Sequence, residues 1–391
     1  MNSIELAKQN KDYIVDVRRN LHKIPELGLD LPKTVEYIKS KLDALDLKYE
    51  VYEDISSIVV TIDGAQDGKV VAVRADIDGL PIKEENTFDF KSTNENMHAC
   101  GHDGHASMAL GLCKILSENK DKIKGKVKVL FQAGEEYPGG AKPMIDKGAL
   151  KNPDAEVIIG LHEGVIAPEL KKGTLGICYG PMMASMDRFL VEVNGKGGHG
   201  AYPQNTIDSV AIAAEIVGAL HKIISREIVA TEPAVLSVTR IHGGFNQNIL
   251  PDKTELEGTV RATNEEVRKK IARRIEEIST NIGNAYGADV KTTYDFKYPA
   301  LINNKEVTEM LRGSMKKVVA EENIIVIDKP LMGGEDMAYY LKEIPGSFFF
   351  LTNPKDAVNP QAHHTSKFDI DEDYLPIGTA VFLQFIQDYL G

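Results

Sequence analysis

Cysteine is scarce in this chain: three among 391 residues, at Cys100, Cys113 and Cys178. An odd number so widely spaced gives no disulfide framework. Cys113 lies in the apolar helical pattern ALGLCKIL and Cys178 in the strand-like GTLGICYG, and both read as buried and inert. Positive charge is also in deficit, 46 Lys and Arg against 58 Asp and Glu, for a formal net charge of −12. A surface of that sign cannot displace the counterions of a phosphate backbone, so nucleic acid is excluded as an expected partner. No run is long and apolar enough to span a bilayer. The opening MNSIELAKQNKDYIVDVRRNLHKIPELG reads as an amphipathic helix charged throughout, without the apolar core of a signal peptide. A cytoplasmic protein without a membrane partner is the expectation. Internal repeats and low-complexity tracts are missing as well.

What is present is ordinary for a globular protein, 42% hydrophobic and 27% charged. The length exceeds that at which one core stops growing, which predicts two domains. After the first helix and a second in LPKTVEYIKSKLDAL, the β-branched runs KVVAVRADID, KVKVLFQAGEE and AEVIIGLHEG alternate with the helical HASMALGLCKILSENKDKI and GGAKPMIDKGAL. That alternation predicts an α/β fold with a mainly parallel, doubly wound sheet. From Asp187 the rhythm becomes strand, helix, strand, strand, helix, strand, the βαββαβ order of a small ferredoxin-like α+β domain. After Pro299, VTEMLRGSMKKVVAEE, GSFFFLTN and a last helix from Leu375 restore the first rhythm. The predicted domains are 1–185 with 298–391, interrupted by an inserted α+β domain at 186–297.

The densest chemistry is in MHACGHDGH, residues 97–105, where Cys100 and His102 precede a helix. In an open α/β sheet, ligands bind beyond the carboxyl ends of the strands. Asp76, the pair Glu135 and Glu136, and His162 each close a predicted strand. Singly, each has an ordinary explanation: a helix cap, a solvated turn, a satisfied surface histidine. Their common placement at strand ends favours a site. Thiolate, imidazole and carboxylate together suit zinc or another first-row divalent ion, namely manganese, cobalt or nickel. The adjacent glutamates can divide the work, one binding metal and one acting as general base on an activated water. His363 and His364 could add an imidazole from the C-terminal part.

Seven segments, RADIDGLP, HACGHDGH, FQAGEEYPGGA, GLHEG, GKGGHGAYP, GGEDMAYYL and HHTSKFDIDEDYLPIG, together resemble the M20 family of metallopeptidases. Within it they resemble the N-acyl-amino-acid amidohydrolase branch, which holds hippurate hydrolases, auxin-conjugate hydrolases and N-acetyldiaminopimelate deacetylases. The resemblance runs from Arg18 to Leu375 in the expected order. It implies two divalent metal ions per subunit, held by Cys100, His102, Glu136, His162 and His364, with Cys100 in the bridging place. It implies Glu135 as catalytic base and Asp76 as the aspartate that orients a ligating histidine. His364 stands four residues before Phe368, where the branch places its ligand. A proline often found in the branch is replaced here by Ser366, which leaves His363 as the alternative. His105 is expected at the helix start or behind the ligands. Glu335 and Asp336 match a family motif with no role assigned.

In the inserted domain the resemblance implies that His199 reaches the active site of a partner subunit and donates to the tetrahedral oxyanion, making a homodimer through a dimerisation or lid domain. Asn248 and Arg261 fit contacts to the substrate's oxyanion or carboxylate; otherwise they are a turn-forming Asn and a solvated strand Arg. The expected reaction is hydrolysis of an N-acyl amino acid, N-acetyl, N-benzoyl or related, to a carboxylic acid and a free amino acid. Two rivals stand beside it. A Cys100 nucleophile with His102 as base would make an acyl hydrolase or transferase, and a metal-stabilised binding module would keep the fold without turnover.

Overall fold

The computed structural model describes residues 1–167 and 170–391. The chain divides into two compact units, Met1–Gly180 with Ile302–Asp328 and Asp336–Gly391, and Pro181–Leu301 with Lys329–Glu335. The expected boundaries left 329–335 with the first domain. Leu331 moves it to the second, because its N–H donates to the Met182 carbonyl at 2.9 Å and its carbonyl accepts from Ala184 N–H at 2.9 Å.

The first unit is built on an eight-stranded sheet in the order Tyr49–Tyr52, Ser57–Asp63, Lys124–Gln132, Gln66–Asp76, Val157–Glu163, Gly346–Leu351, Leu175–Ile177, Ile324–Val326. The central four run parallel. They are near-continuous buried runs of Val, Ile, Leu and Phe, as strands covered on both faces must be. The fold class is therefore the α/β arrangement expected from the alternation of strands and helices. Helix His102–Ser117 is buried from His102 through Cys113, so it lies in the interior and its first turn carries polar side chains into a dry environment. One predicted element is broken: the N-terminal helix is two, Ser3–Gln9 and Lys11–His22. Asn10 ends the first by folding its side-chain amide back onto the Leu6 carbonyl at 2.9 Å, a local bond that competes with helix continuation.

The second unit holds an antiparallel sheet in the order Ala234–Gly243, Lys253–Ala262, Met186–Asn194, Asp289–Tyr298. Along Lys253–Ala262 burial alternates residue by residue, so one face alone packs on a core of Phe189, Val191, Leu256, Ile216 and Ile275. Helices Ser209–Lys222 and Glu265–Ala285 cover that face, each capped by an acceptor side chain, Asp208 and Asn264.

Candidate metal centre

Parallel pairing brings the ends of three strands to one edge. Asp76, the last residue of its strand, is in register with Gln132, the last residue of the next, and Arg74 with Gly160. Beyond Gln132 the chain turns through a tight loop that carries Glu135 and Glu136, closed by Gly139 N–H on the Gly134 carbonyl at 2.8 Å. Gly134 has a φ of +74°, and a Cβ there would come within 2.6 Å of a Leu29 methyl, so a side chain would be strained and would push Leu29 aside. His162 stands one residue from the end of Val157–Glu163. Gly101, at a φ of +85°, turns the chain from Cys100 into the helix that begins at His102.

These turns converge. Cys100 Sγ lies 3.3 Å from His162 Nε2. The Nδ1 of that ring donates to the Glu163 carbonyl at 2.9 Å, which leaves the Nε2 lone pair facing the thiol. His102 meets the Asp78 carbonyl and carboxylate through Nδ1, at 3.0 and 3.3 Å. Its buried Nε2 has no hydrogen-bond partner. His364 Nε2 is 3.0 Å from Glu136 Oε1. Ligand-capable atoms of Cys100, His102 and His162 lie within 4.8 Å of one another, as do those of Cys100, Glu136 and His364, and those of His102, Glu135 and Glu136. Cys100 belongs to both of the first two sets.

The two adjacent histidines diverge. His364 takes a φ of +61°, a left-handed conformation that costs a non-glycine residue about 1–2 kcal/mol, and is held there by its N–H on the Ala99 carbonyl at 2.8 Å. It faces Glu136. His363 is half-buried, and its Nε2 donates to the Glu163 carbonyl at 2.8 Å.

Burial, then the Glu136 and Glu135 carboxylates, push the Cys100 thiol well above its ordinary range. A thiol so held is a poor nucleophile until positive charge stands beside it. Burial disfavours a charged His102, but Asp76 and Asp78 outweigh it and raise the ring to about 10. Burial together with His105 and His363 lowers His162 well below its usual value. Burial opposes ionisation of Glu136, yet His364 and His102 draw its carboxyl down.

Asp76 closes its strand as expected, but its carboxylate is bonded to Arg74 and His105 and not to His102. Arg74 Nη1 takes its Oδ2 at 2.8 Å, and its Oδ1 lies 2.5 Å from His105 Nδ1, leaving His102 Nε2 at 3.6 Å. The carboxylate on His102 Nδ1 belongs to Asp78. Asp78 was missed, although the second acid of RADID was a signal for it. Its two oxygens also accept from the N–H groups of Glu135 and Glu136, at 3.1 Å each, which ties the glutamate loop to the histidine helix. Asp76, His102 and His105 also lie close enough together to hold an ion. His105 has no lone pair to give: Nδ1 is on Asp76, and Nε2 accepts from Glu163 N–H at 3.0 Å.

In the second unit, His199 and Asn248 share one small feature. Strand Gly198–His199 pairs with Ile249–Leu250, Gly200 N–H donates to the Asn248 carbonyl at 2.8 Å, and both residues are exposed. Arg261 is half-buried on Lys253–Ala262, with Nη1 on the Val260 carbonyl at 3.0 Å and on Thr259.

Cysteine, histidines and acids gathered at the carboxyl edge of a parallel sheet define a metallohydrolase type of centre. The chain belongs to peptidase family M20/M25/M40, which its residues 72–388 match. It is a metal-dependent amidohydrolase. It is 38% identical to thermostable carboxypeptidase 1 of Saccharolobus solfataricus over 95% of this chain and 94% of the relative. To the N-acyl-L-amino acid amidohydrolase of Geobacillus stearothermophilus it is 43% identical, over 77% of this chain and 80% of the relative. Among solved structures, the YXEP protein of Bacillus subtilis, described as a dinuclear metal binding peptidase from the M20 family, is 30% identical. The two match over 98% of this chain and 99% of that one, with a TM-score of 0.85.

Proposed function

We propose that the protein removes the acyl group from N-acyl amino acids, with two divalent ions that Cys100, His102, His162, Glu136 and His364 would hold. The shared membership of Cys100 in two ligand sets carries this reading. The residues fit the ions on three grounds. His102 Nε2 is buried without a hydrogen-bond partner, the Nε2 lone pair of His162 faces the thiol, and Cys, His and Glu are the donor types that first-row divalent metals take. Cys100, His102 and His162 would hold one ion, and Cys100, Glu136 and His364 the other. Two such ions supply Lewis acidity that polarises an amide carbonyl and acidifies water.

The chain's own residues do the rest. Glu135 takes the proton of the attacking water and passes it to the leaving nitrogen. His199 donates to the oxyanion of the tetrahedral intermediate, Asn248 supports it, and Arg261 clamps the free carboxylate of the substrate. Residues 186–297 serve as the dimerisation and lid domain, and His199 acts across a homodimer. The activities for which the relatives are named, amidohydrolase and carboxypeptidase, support a substrate with a scissile amide next to a carboxylate. The raised Cys100 thiol weighs against a nucleophilic cysteine. The test is a screen of N-acetyl, N-benzoyl and other N-acyl amino acids, including N-acetyldiaminopimelate, with zinc, manganese, cobalt and nickel restored in turn. Turnover unaffected by chelation would overturn the reading.

A further inference from the structure

We propose that Asp336 is a positioning residue that clasps the loop bearing Glu135 and Glu136. The inference rests on the reading of those glutamates as base and metal ligand. Asp336 is fully buried, and its carboxylate gathers five hydrogen bonds. Oδ1 accepts from Arg74 Nη2 at 2.7 Å and from Gln132 Nε2 at 2.9 Å. Oδ2 accepts from Gln132 Nε2 at 2.8 Å, Gly140 N–H at 3.0 Å and Ala141 N–H at 2.9 Å. Gln132 ends the strand before the loop, and Gly140 precedes helix Ala141–Asp146 after it. One carboxylate therefore ties the two ends of the loop together.

The ends are packed as closely as backbone allows: a Cβ at Gly140 would lie 1.7 Å from the Ala133 carbonyl oxygen. Midway, Asp78 holds the N–H groups of Glu135 and Glu136. The loop is thus fixed at its ends by one buried anion and at its centre by another. Arg74 extends the grip, because its Nη1 holds Asp76, which holds His105, which accepts from the N–H of Glu163 beside His162. Asp336 is one end of a buried line joining the glutamate loop to the strand of His162. The site needs an acceptor-only group, since each of the five hydrogen bonds to the Asp336 carboxylate comes from an N–H donor. Asparagine offers a single oxygen and sets an NH2 against the remaining donors, leaving some of them unsatisfied.

The experiment compares Asp336→Asn with Lys128→Met, which removes a buried charge from the same strand, Lys124–Gln132, without touching Asp336. Affinities for Zn²⁺ and Mn²⁺ are measured by chelator competition, kcat and KM on the best N-acyl amino acid, and stability by urea unfolding. Asp336→Asn is expected to lose about 10–100-fold in metal affinity and a similar factor in kcat, with KM within about 3-fold. Lys128→Met should lose stability alone. Should Asp336→Asn fail to fold, Gln132→Met, which removes the Nε2 donor from both carboxylate oxygens, should show the same split at smaller size. Wild-type metal affinity in a folded Asp336→Asn or Gln132→Met overturns the proposal, as does an equal metal loss in Lys128→Met. The metal measurement is independent of the catalytic reading: if Glu135→Gln kept full turnover, the base assignment would fall, and the affinity of Asp336→Asn would still decide the clasp.

Discussion

Glu135 and Glu136 are neighbours in sequence with separate work in the proposed reaction, and a one-atom change tells them apart. Glu135→Gln preserves shape and cannot accept a proton, so turnover should fall by at least about 10²-fold while metal content, read by mass spectrometry, stays near wild type. Glu136→Gln should lose metal as well. A Glu135→Gln enzyme at the wild-type rate would remove Glu135 as base. For Cys100 the expectation concerns reactivity. Metal-loaded protein should resist iodoacetamide at this thiol, because a ligating sulfur is engaged by its ion, and chelated protein should react, faster as pH rises, because burial and the Glu136 and Glu135 carboxylates hold the freed thiol high. An acyl-cysteine adduct in a quenched reaction would sink the ligand reading. The rare, reactive residues were legible in the sequence because thiol and imidazole at strand ends have few other uses. Asp78 and Asp336 stand in visible motifs, RADID and GGEDM, but their roles were not legible, because what they do is set by backbone N–H groups 57 and 196 residues away.

Helices Lys11–His22 and His102–Ser117 are joined by charges taken out of water. Arg18 donates to Asp103 at 2.8 Å and to Glu372 and Asp369 at 3.0 Å each, while His22 bridges Asp103 and Glu84 at 2.8 and 3.1 Å. Burial opposes the charges of Arg18, His22, Asp103, Glu84 and Glu372. Arg18 and His22 nevertheless hold the Asp103 carboxyl far below the carboxylate range, and Asp103 raises His22. Glu84 and Glu372 are likewise lowered against burial, by His22 and by Arg19 with Arg18. The depressed carboxyls contribute stability that is complete above their ordinary values, near pH 4, and is lost as pH falls through the depressed ones. The raised His22 works in the other direction, complete below about pH 6.5 and lost as pH rises through its folded value. Asp103→Asn leaves Arg18 and His22 short of a counter-charge and should cost about 3–5 kcal/mol near pH 5–6. In urea unfolding from pH 2 to 9 that gap should narrow on both sides, and a gap constant with pH would refute the account. At this scale the sequence was most legible where strands are buried on both faces. The short Ile324–Val326 and the edge strand Tyr49–Tyr52 were missed, because three or four residues at a sheet margin carry little periodicity.

Across the whole molecule, the residues proposed to act on one amide fall in two compact units: Glu135, Cys100 and the imidazoles in one, His199, Asn248 and Arg261 in the other. The proposed reaction therefore needs His199 delivered to the carbonyl by its own chain or by a second copy. The βαββαβ unit has strand Ala234–Gly243 at one edge of its sheet and Asp289–Tyr298 at the other. Unpaired N–H and carbonyl groups on an edge are a ready surface for a symmetric partner. Complementation separates the alternatives. His199→Ala and Glu135→Gln are each expected to be inactive alone. Mixed under conditions of subunit exchange, a heterodimer in which histidine acts across the interface has one site lacking both groups and one site with both. Activity should then return, to about a quarter of the wild-type rate if exchange is statistical, since half the dimers are mixed and each carries one good site of two. If histidine serves its own chain, every site lacks one group and the mixture stays dead. Sedimentation of the wild type supplies the independent check, because a monomer at assay concentration with full activity would end the shared-site proposal and leave the metal chemistry of the first unit standing.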